Sequence, residues 1–301
     1  MFKTIVVGVD GREGGRDALS LAGRLALVAG GELVAVHALP FDQYVVRADA
    51  PRYNSFAEEE GRRMLEGELT EAGVTAQMRI LGDTSPARGL HRVAEEVHAD
   101  VIVVGSTRHG PIGRVLAGDD AVATLHGSIC PVAVAPRGLA SREWKPVRRI
   151  GVGFDSGPEA QQALALATAL ARACGASLEL RSVVLPAYPV DLSYDTDALE
   201  RSKAIVQKQL DETIAELPVD ATGEVSAGSP VDALTDLSTA VDLLVVGSRC
   251  WGPVRRTIVG STTARLVREA HCPVLVLPRG AATGQPGEQD PDAASAATTA
   301  A

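Results

Sequence analysis

The residues whose types and spacing are suited to chemistry come in two matched sets. Asp10 follows the apolar run Ile5 to Val9, and Asp155 closes the related segment RIGVGFD. Val104-Gly105-Ser106 and Val246-Gly247-Ser248 end two further apolar runs. After each comes a stretch rich in Gly, Pro and Arg, and then a glycine, Gly118 or Gly260, near which a helix is expected to start. A glycine-containing loop that delivers backbone N–H groups and a helix N-terminus to one place is suited to an anion. No Gly-x4-Gly-Lys-Ser/Thr occurs, which argues against a Walker-type ATPase. Gly151, Gly153 and Gly157 imitate a dinucleotide fingerprint, but Val6 stands where Gly151 would be in the other set, and Asp155 would sit beside the pyrophosphate. No Ser-His-Asp, paired-carboxylate or metal-ligand arrangement recurs in both sets, so no catalytic residue or metal ligand is assigned and the chain is not read as an enzyme.

These sets belong to an internal repeat. The segment starting at Asp100 aligns without a gap to that starting at Asp242, with sixteen of thirty-nine positions identical. The chain's first residues align with those around Asp155 in the same way. Each copy is long enough to be a domain, giving boundaries of 1–138 and 147–280, joined through GLASREWKP (Gly138 to Pro146). Residues 281–301 hold almost nothing large enough to build a core and are expected to form a disordered tail.

Within a copy, short β-branched runs alternate with amphipathic stretches. Ile5 to Val9, Leu33 to His37, Gln77 to Leu81, Val101 to Val104 and Val132 to Ala135 read as strands. Ala18, Leu21, Ala22, Leu25, Val28 and Ala29 share one face of a helix ending at Gly30; Ala163, Leu164, Ala167, Leu170, Ala171 and Cys174 do the same before Gly175. Alternating β and α elements with nearly continuous apolar strands imply an α/β fold whose parallel sheet is covered on both faces. Ligands of such sheets bind beyond the carboxyl ends of the strands, where the strand order reverses. The last strands, CPVAVAP and CPVLVLP, are edges that profit from being paired or covered. Two five-stranded sheets related by an approximate two-fold axis are expected, not one continuous sheet through the whole chain.

Composition narrows the function classes. Thirty-eight acidic against 29 basic residues leave a net charge of −9, which disfavours a general nucleic-acid or anionic-membrane binder. No apolar run reaches membrane-spanning length. The start of the chain lacks the marks of an export signal, and the four cysteines form no CxxC pair, so a cytoplasmic location is expected. Several candidate residues carry a second, structural reading. Asp10 and Asp155 are equally suited to capping the first helix of each copy, Gly105 and Gly247 to tight turns, and Arg255 and Arg256 to a solvated surface. His37 reads as structural, and Cys130 and Cys272 as small buried thiols.

The order strand-Gly-Ser, a loop with His-Gly-Pro or Trp-Gly-Pro, Gly-Asp or Gly-Ser before the last helix, and then Cys-Pro-Val resembles the universal stress protein domain. It does so in both copies. The resemblance implies two tandem Rossmann-like (adenine nucleotide alpha hydrolase-like) domains, each a five-stranded parallel sheet of order 3-2-1-4-5. The ATP-binding members carry Gly-x-x-Gly, nine residues, then Gly-Ser or Gly-Thr. The second copy has Gly247, Cys250, nine residues and Gly260-Ser261; the first has Gly105, Arg108, nine residues and Gly118-Asp119. A non-glycine residue in a left-handed position costs about 1–2 kcal/mol, roughly a tenfold weakening. A carboxylate about 5 Å from a phosphate charge costs about 1.7 kcal/mol at an effective dielectric of roughly 40.

The second copy therefore ranks first as a site for ATP, with Mg2+ carried by the phosphates. By the resemblance, Asp155 faces the ribose, Val183 the adenine, and Ser261, Thr262 and Arg256 the phosphates. Gly153, Val246, Gly247, Arg249, Cys250, Gly252 and Gly260 complete that site. The corresponding residues of the first copy are Gly8, Asp10, Ala38, Val104, Gly105, Arg108, Gly110 and Gly118. The resemblance further implies an intrachain pseudo-dimer of the two domains, a homodimer of chains, and a stress-response or signalling role. A nucleotide-independent interaction protein with a degenerate site is the alternative.

Overall fold

The computed structural model describes residues 1–40, 50–83, 85–107, 112–143, 145–185, 196–248 and 260–278. The expected tail and the residues Arg108, Gly110, Arg249, Cys250, Gly252, Arg255 and Arg256 lie outside them.

Each copy runs β-α-β-α-β-α-β-α-β. The first comprises β1 (Thr4–Gly8), α1 (Glu13–Ala29), β2 (Glu32–Pro40), α2 (Ala50–Ala72), β3 (Gln77–Asp83), α3 (Pro86–Glu96), β4 (Val101–Gly105), α4 (Asp119–Leu125) and β5 (Val132–Ala135). The second comprises β6 (Arg149–Gly153), α5 (Pro158–Cys174), β7 (Ser177–Val184), α6 (Thr196–Ala215), β8 (Ala221–Ala227), α7 (Pro230–Ala240), β9 (Leu243–Gly247), α8 (Ser261–Glu269) and β10 (Val274–Leu277). Gly30 and Gly175 end the first helices in left-handed conformations, φ 65° and 68°, each N–H bonding back to the carbonyl of Ala26 or Ala171.

Strand order is β3-β2-β1-β4-β5-β10-β9-β6-β7-β8, so each half has the order 3-2-1-4-5. All pairs within a half are parallel, and β5 pairs with β10 antiparallel, Val134 opposite Val274 and Val132 opposite Val276. This corrects one expectation: the two sheets fuse into a single ten-stranded sheet. The physical reason is the one that made the final strands noteworthy. Each is an otherwise unpaired apolar edge, and antiparallel union satisfies both edges at once. Every residue of Val132 to Ala135 is at most 1% exposed.

Two cores flank the sheet. One packs α1, α2, α5 and α6 around Ile5, Val7, Ile150, Val152, Leu178 and Leu180; the other packs α3, α4, α7 and α8 around Val6, Val36, Ile102, Leu244 and Val246. Because β5 and β10 are antiparallel, the carboxyl edge of one half lies at the same end as the amino edge of the other. The two candidate clefts therefore open at opposite ends of the sheet.

Contacts within the first copy secure the join. The Asp17 carboxylate, 1% exposed, accepts from the Gly138 and Ala140 amides, both at 2.8 Å. Arg137 donates to Glu13 at 3.0 Å. Burial raises the Asp17 pKa from its ordinary value, and the backbone donors only partly offset it.

Candidate functional site

Both clefts form at the predicted place, between the carboxyl ends of β1 and β4, or of β6 and β9. The first, about 590 Å³, is lined by Gly8, Asp10, Ala38, Val104, Gly105 and Gly118, together with Val36, His37, Ser106, Thr107, Asp119 and Asp120. The second, about 360 Å³, is lined by Gly153, Asp155, Val183, Val246, Gly247, Gly260, Ser261 and Thr262, together with Arg181, Thr263 and Leu266. Every predicted site residue among those described thus borders one of the two clefts.

The aspartates build the turns that enter α1 and α5. Asp10 Oδ1 accepts from the Arg12 amide at 3.0 Å, and Asp155 Oδ1 from the Gly157 amide at 2.9 Å. Neither is the N-cap residue; those are Arg12 and Gly157, and neither makes a side-chain cap bond. The capping reading is corrected to a two-residue turn that closes over a left-handed residue. That residue is Gly11, φ 71°, in the first copy and Ser156, φ 62°, in the second. Both aspartates are exposed and face a cleft.

Gly105 and Gly247 answer to a close approach. A Cβ on Gly105 would fall on the Gly14 carbonyl oxygen, and one on Gly247 would lie 2.6 Å from the Glu159 carbonyl oxygen. Neither glycine has a positive φ, so the tight-turn reading is replaced by contact between the strand end and the first turn of α1 or α5. That contact seats the helix against the floor of the cleft.

The helix starts that border the two clefts differ. In the second copy α8 begins at Ser261 behind Gly260, with no side-chain cap and no acid in its first turn. Its orphan amides and the hydroxyls of Ser261 and Thr262 border the cleft. In the first copy α4 begins Asp119-Asp120, two acids where an anion would rest.

The opposite ends differ in a way the sequence analysis missed. The Val9 amide bonds to the Val36 carbonyl and the Phe154 amide to the Arg181 carbonyl, both at 2.9 Å, so Arg181 occupies the place of Val36. Val36 is 1% exposed and apolar. Arg181 instead pairs with Glu224 at 2.9 Å, while its Nε is buried without a partner. The alternation of β7 would have revealed this, since Leu178, Leu180 and Ser182 face one way and Glu179 and Arg181 the other. The first cleft is apolar where the second carries an arginine ion-paired with Glu224, and acidic where the second offers amides.

Cys130 and Cys272 are buried as expected, and His37 is tied to the backbone at the edge of the first cleft. His37 Nδ1 lies 2.9 Å from the Val9 carbonyl oxygen, fixing the ring to the β1 end. Cys130 and Cys272 are 6% and 4% exposed, and burial pushes the Cys130 thiol up to about 11 and raises that of Cys272 as well. Among the described residues no group of three or more metal-ligating side chains occurs.

The family model described as "Universal stress protein family" matches residues 1–136 and again residues 146–278. The chain belongs to the universal stress protein family. A universal stress protein of Mycobacterium tuberculosis is 26% identical over 296 residues, covering 90% of this chain and 96% of that protein. Another from the same organism is 27% identical over 218 residues, covering 68% and 73%. Among solved structures, a universal stress protein from Archaeoglobus fulgidus superposes with a TM-score of 0.65 at 19% identity, covering 92% of this chain and 98% of that one. At that identity the likeness concerns the fold alone. Among the described residues no helix is long and apolar enough to cross a membrane.

Proposed function

We propose that this universal stress protein is a nucleotide-responsive regulator that binds ATP mainly in its second domain and performs no catalysis of its own. The observation that carries the reading is the start of α8. Uncapped amides, the Ser261 and Thr262 hydroxyls and the close-packed Gly247 converge on one cleft with Asp155, and no carboxylate stands in the helix's first turn. These residues fit the phosphate end of a nucleotide, with Mg2+ arriving on the phosphates and Asp155 toward the ribose. Arg181, although ion-paired with Glu224, brings guanidinium N–H donors to the base end of that cleft, so acceptor atoms on the base ring, rather than a purely apolar face, meet the protein there. The first domain's cleft, with Asp119 and Asp120 at its helix start, is the weaker site for a polyphosphate.

Isothermal titration with Mg-ATP tests this: about one tight equivalent per chain is expected, lost in Gly260→Asp. Absence of binding at millimolar ATP, or binding that survives Gly260→Asp, overturns the reading. In that event the nucleotide-independent interaction role takes its place, a reading favoured by the acids of α4 and by Arg181. A cytoplasmic location and a homodimer of chains complete the proposal. Light scattering that returns the 31.3 kDa of one chain at every concentration would remove the homodimer.

A further inference from the structure

Away from both candidate clefts, α1 and the linker between the domains bring together a half-buried and an exposed arginine. Arg24 lies on α1 and Arg142 on the linker, and both border two cavities of about 490 and 500 Å³. Aligning Asp10 with Asp155 puts Ala169 at the place of Arg24 in the second domain, so the helix packs without a cation there. Arg24 donates weakly to the Leu139 carbonyl at 3.4 Å, and its Nε is buried with no partner. Burial and the neighbouring Arg142 charge both weaken its hold on a proton. Arg24, half-buried, and the exposed Arg142 carry like charges, and neither has an ion-pair partner among the described residues, an arrangement that an arriving anion would relieve.

The neighbouring carboxylates are largely occupied elsewhere. Glu68 holds Arg16 at 2.9 Å, and Asp242 accepts from the Arg148 and Arg149 amides at 2.8 and 2.9 Å. Glu71 and Glu143 border the cavities. Among the described residues, neither they nor any other carboxylate forms an ion pair with Arg24 or Arg142. Each cavity also has an apolar stretch of wall beside its charged residues: Leu19, Leu27 and Val74 in one, and Leu25, Val28 and Leu170 in the other.

We propose that Arg24 and Arg142 form a binding site for the oxyanion head, phosphate or carboxylate, of a small amphiphilic ligand whose apolar body lies along α1. Guanidinium groups suit planar, multidentate recognition of either head. Because the linker supplies Arg142 and α1 holds the linker through Asp17, occupancy would bear on the joint between the domains.

The test uses the full chain, titrated calorimetrically with inorganic phosphate and with octanoate at constant ionic strength. Both should bind saturably and compete, octanoate more tightly because its chain meets the apolar wall. Arg24→Ala, which places the second domain's own residue on α1, and Arg142→Ala should each weaken binding by about tenfold or more. Gly260→Asp should leave it unchanged. If only phosphate binds, the apolar body is wrong and the amphiphile is overturned. If neither ligand binds, or Arg24→Ala binds as well as the parent, the site is overturned. Phosphate binding lost in Gly260→Asp and kept in Arg24→Ala would place the anion in the second nucleotide cleft, overturning this site while supporting the nucleotide reading.

Discussion

At the scale of single residues, the loop from β6 to α5 stores strain that its twin avoids. Ser156 is held at φ 62° where the first domain uses Gly11, and the Asp155 carboxylate bonds across it to the Gly157 amide. A β-carbon in this region costs about 1–2 kcal/mol. Ser156→Gly removes that strain but loosens the unfolded chain, so a net gain of about 0.5–1 kcal/mol in urea unfolding is expected. A loss would show that the serine hydroxyl matters more than its backbone. Gly247→Ala acts in the opposite sense, because its Cβ meets a helix backbone that has no way to yield. A loss of roughly 2–4 kcal/mol is expected, together with weaker ATP binding as α5 is pushed from the cleft.

Asp17 adds a pH signature at the same scale. Its folded pKa is raised by burial, so the folded chain holds this proton more firmly than the unfolded one. The stability it contributes is full below the ordinary value of 3.8 and is lost as pH rises through the higher folded value. Asp17→Asn cannot titrate. The stability difference, parent minus Asp17→Asn, should therefore fall as pH is raised from about 4 toward neutrality, measured by urea melts at several pH values. A difference that grows over this range would contradict the direction of the shift.

At the scale of elements, the repeat and the hydrophobic periodicity made the eighteen helices and strands among the described residues, their order and the two clefts legible, since the inner strands are short, largely apolar runs ended by Gly, Pro or Asp. The acids of α4 and the amides of α8 were legible too, because a helix start depends on its own first residues. Arg181 was missed because strand alternation was not followed onto the face beneath α7. The apolar edges CPVAVAP and CPVLVLP were legible, but the fused sheet was not, because whether two edges join by hydrogen bonds or are merely covered depends on how remote segments meet. One interdomain contact was invisible for the same reason. Behind the first cleft, the Val115 and Ala117 amides donate to the Ala270 and Val267 carbonyls at the carboxyl end of α8, at 2.7 and 2.9 Å, and Arg114 reaches His271 at 2.9 Å. The loop of one site thus rests on the helix whose other end forms the second site. Val115→Pro deletes one donor from this contact and should cost about 1–3 kcal/mol, read by urea unfolding. If α8 transmits the loss, ATP binding in the second domain should weaken in the same variant.

At the scale of the whole molecule, the continuous sheet turns the two domains into each other's edge protection. Val132 to Ala135 are almost fully buried because β10 covers their hydrogen-bonding edge and α1 and α4 their faces. An isolated first domain, residues 1–145, would expose that edge as four apolar residues of high β-propensity, with only the linker beyond it. A second copy presents the same edge in the antiparallel sense already used by β10, and an isologous pair satisfies both strands at once. The truncated chain should therefore form a dimer through β5, and Val134→Lys should return it to a monomer by placing a charge at the seam. Light scattering across a concentration series decides the matter. A truncated domain that stays monomeric at every concentration would mean that the seam depends on residues peculiar to β10 and α8, and that covering an apolar edge is not what joins the halves.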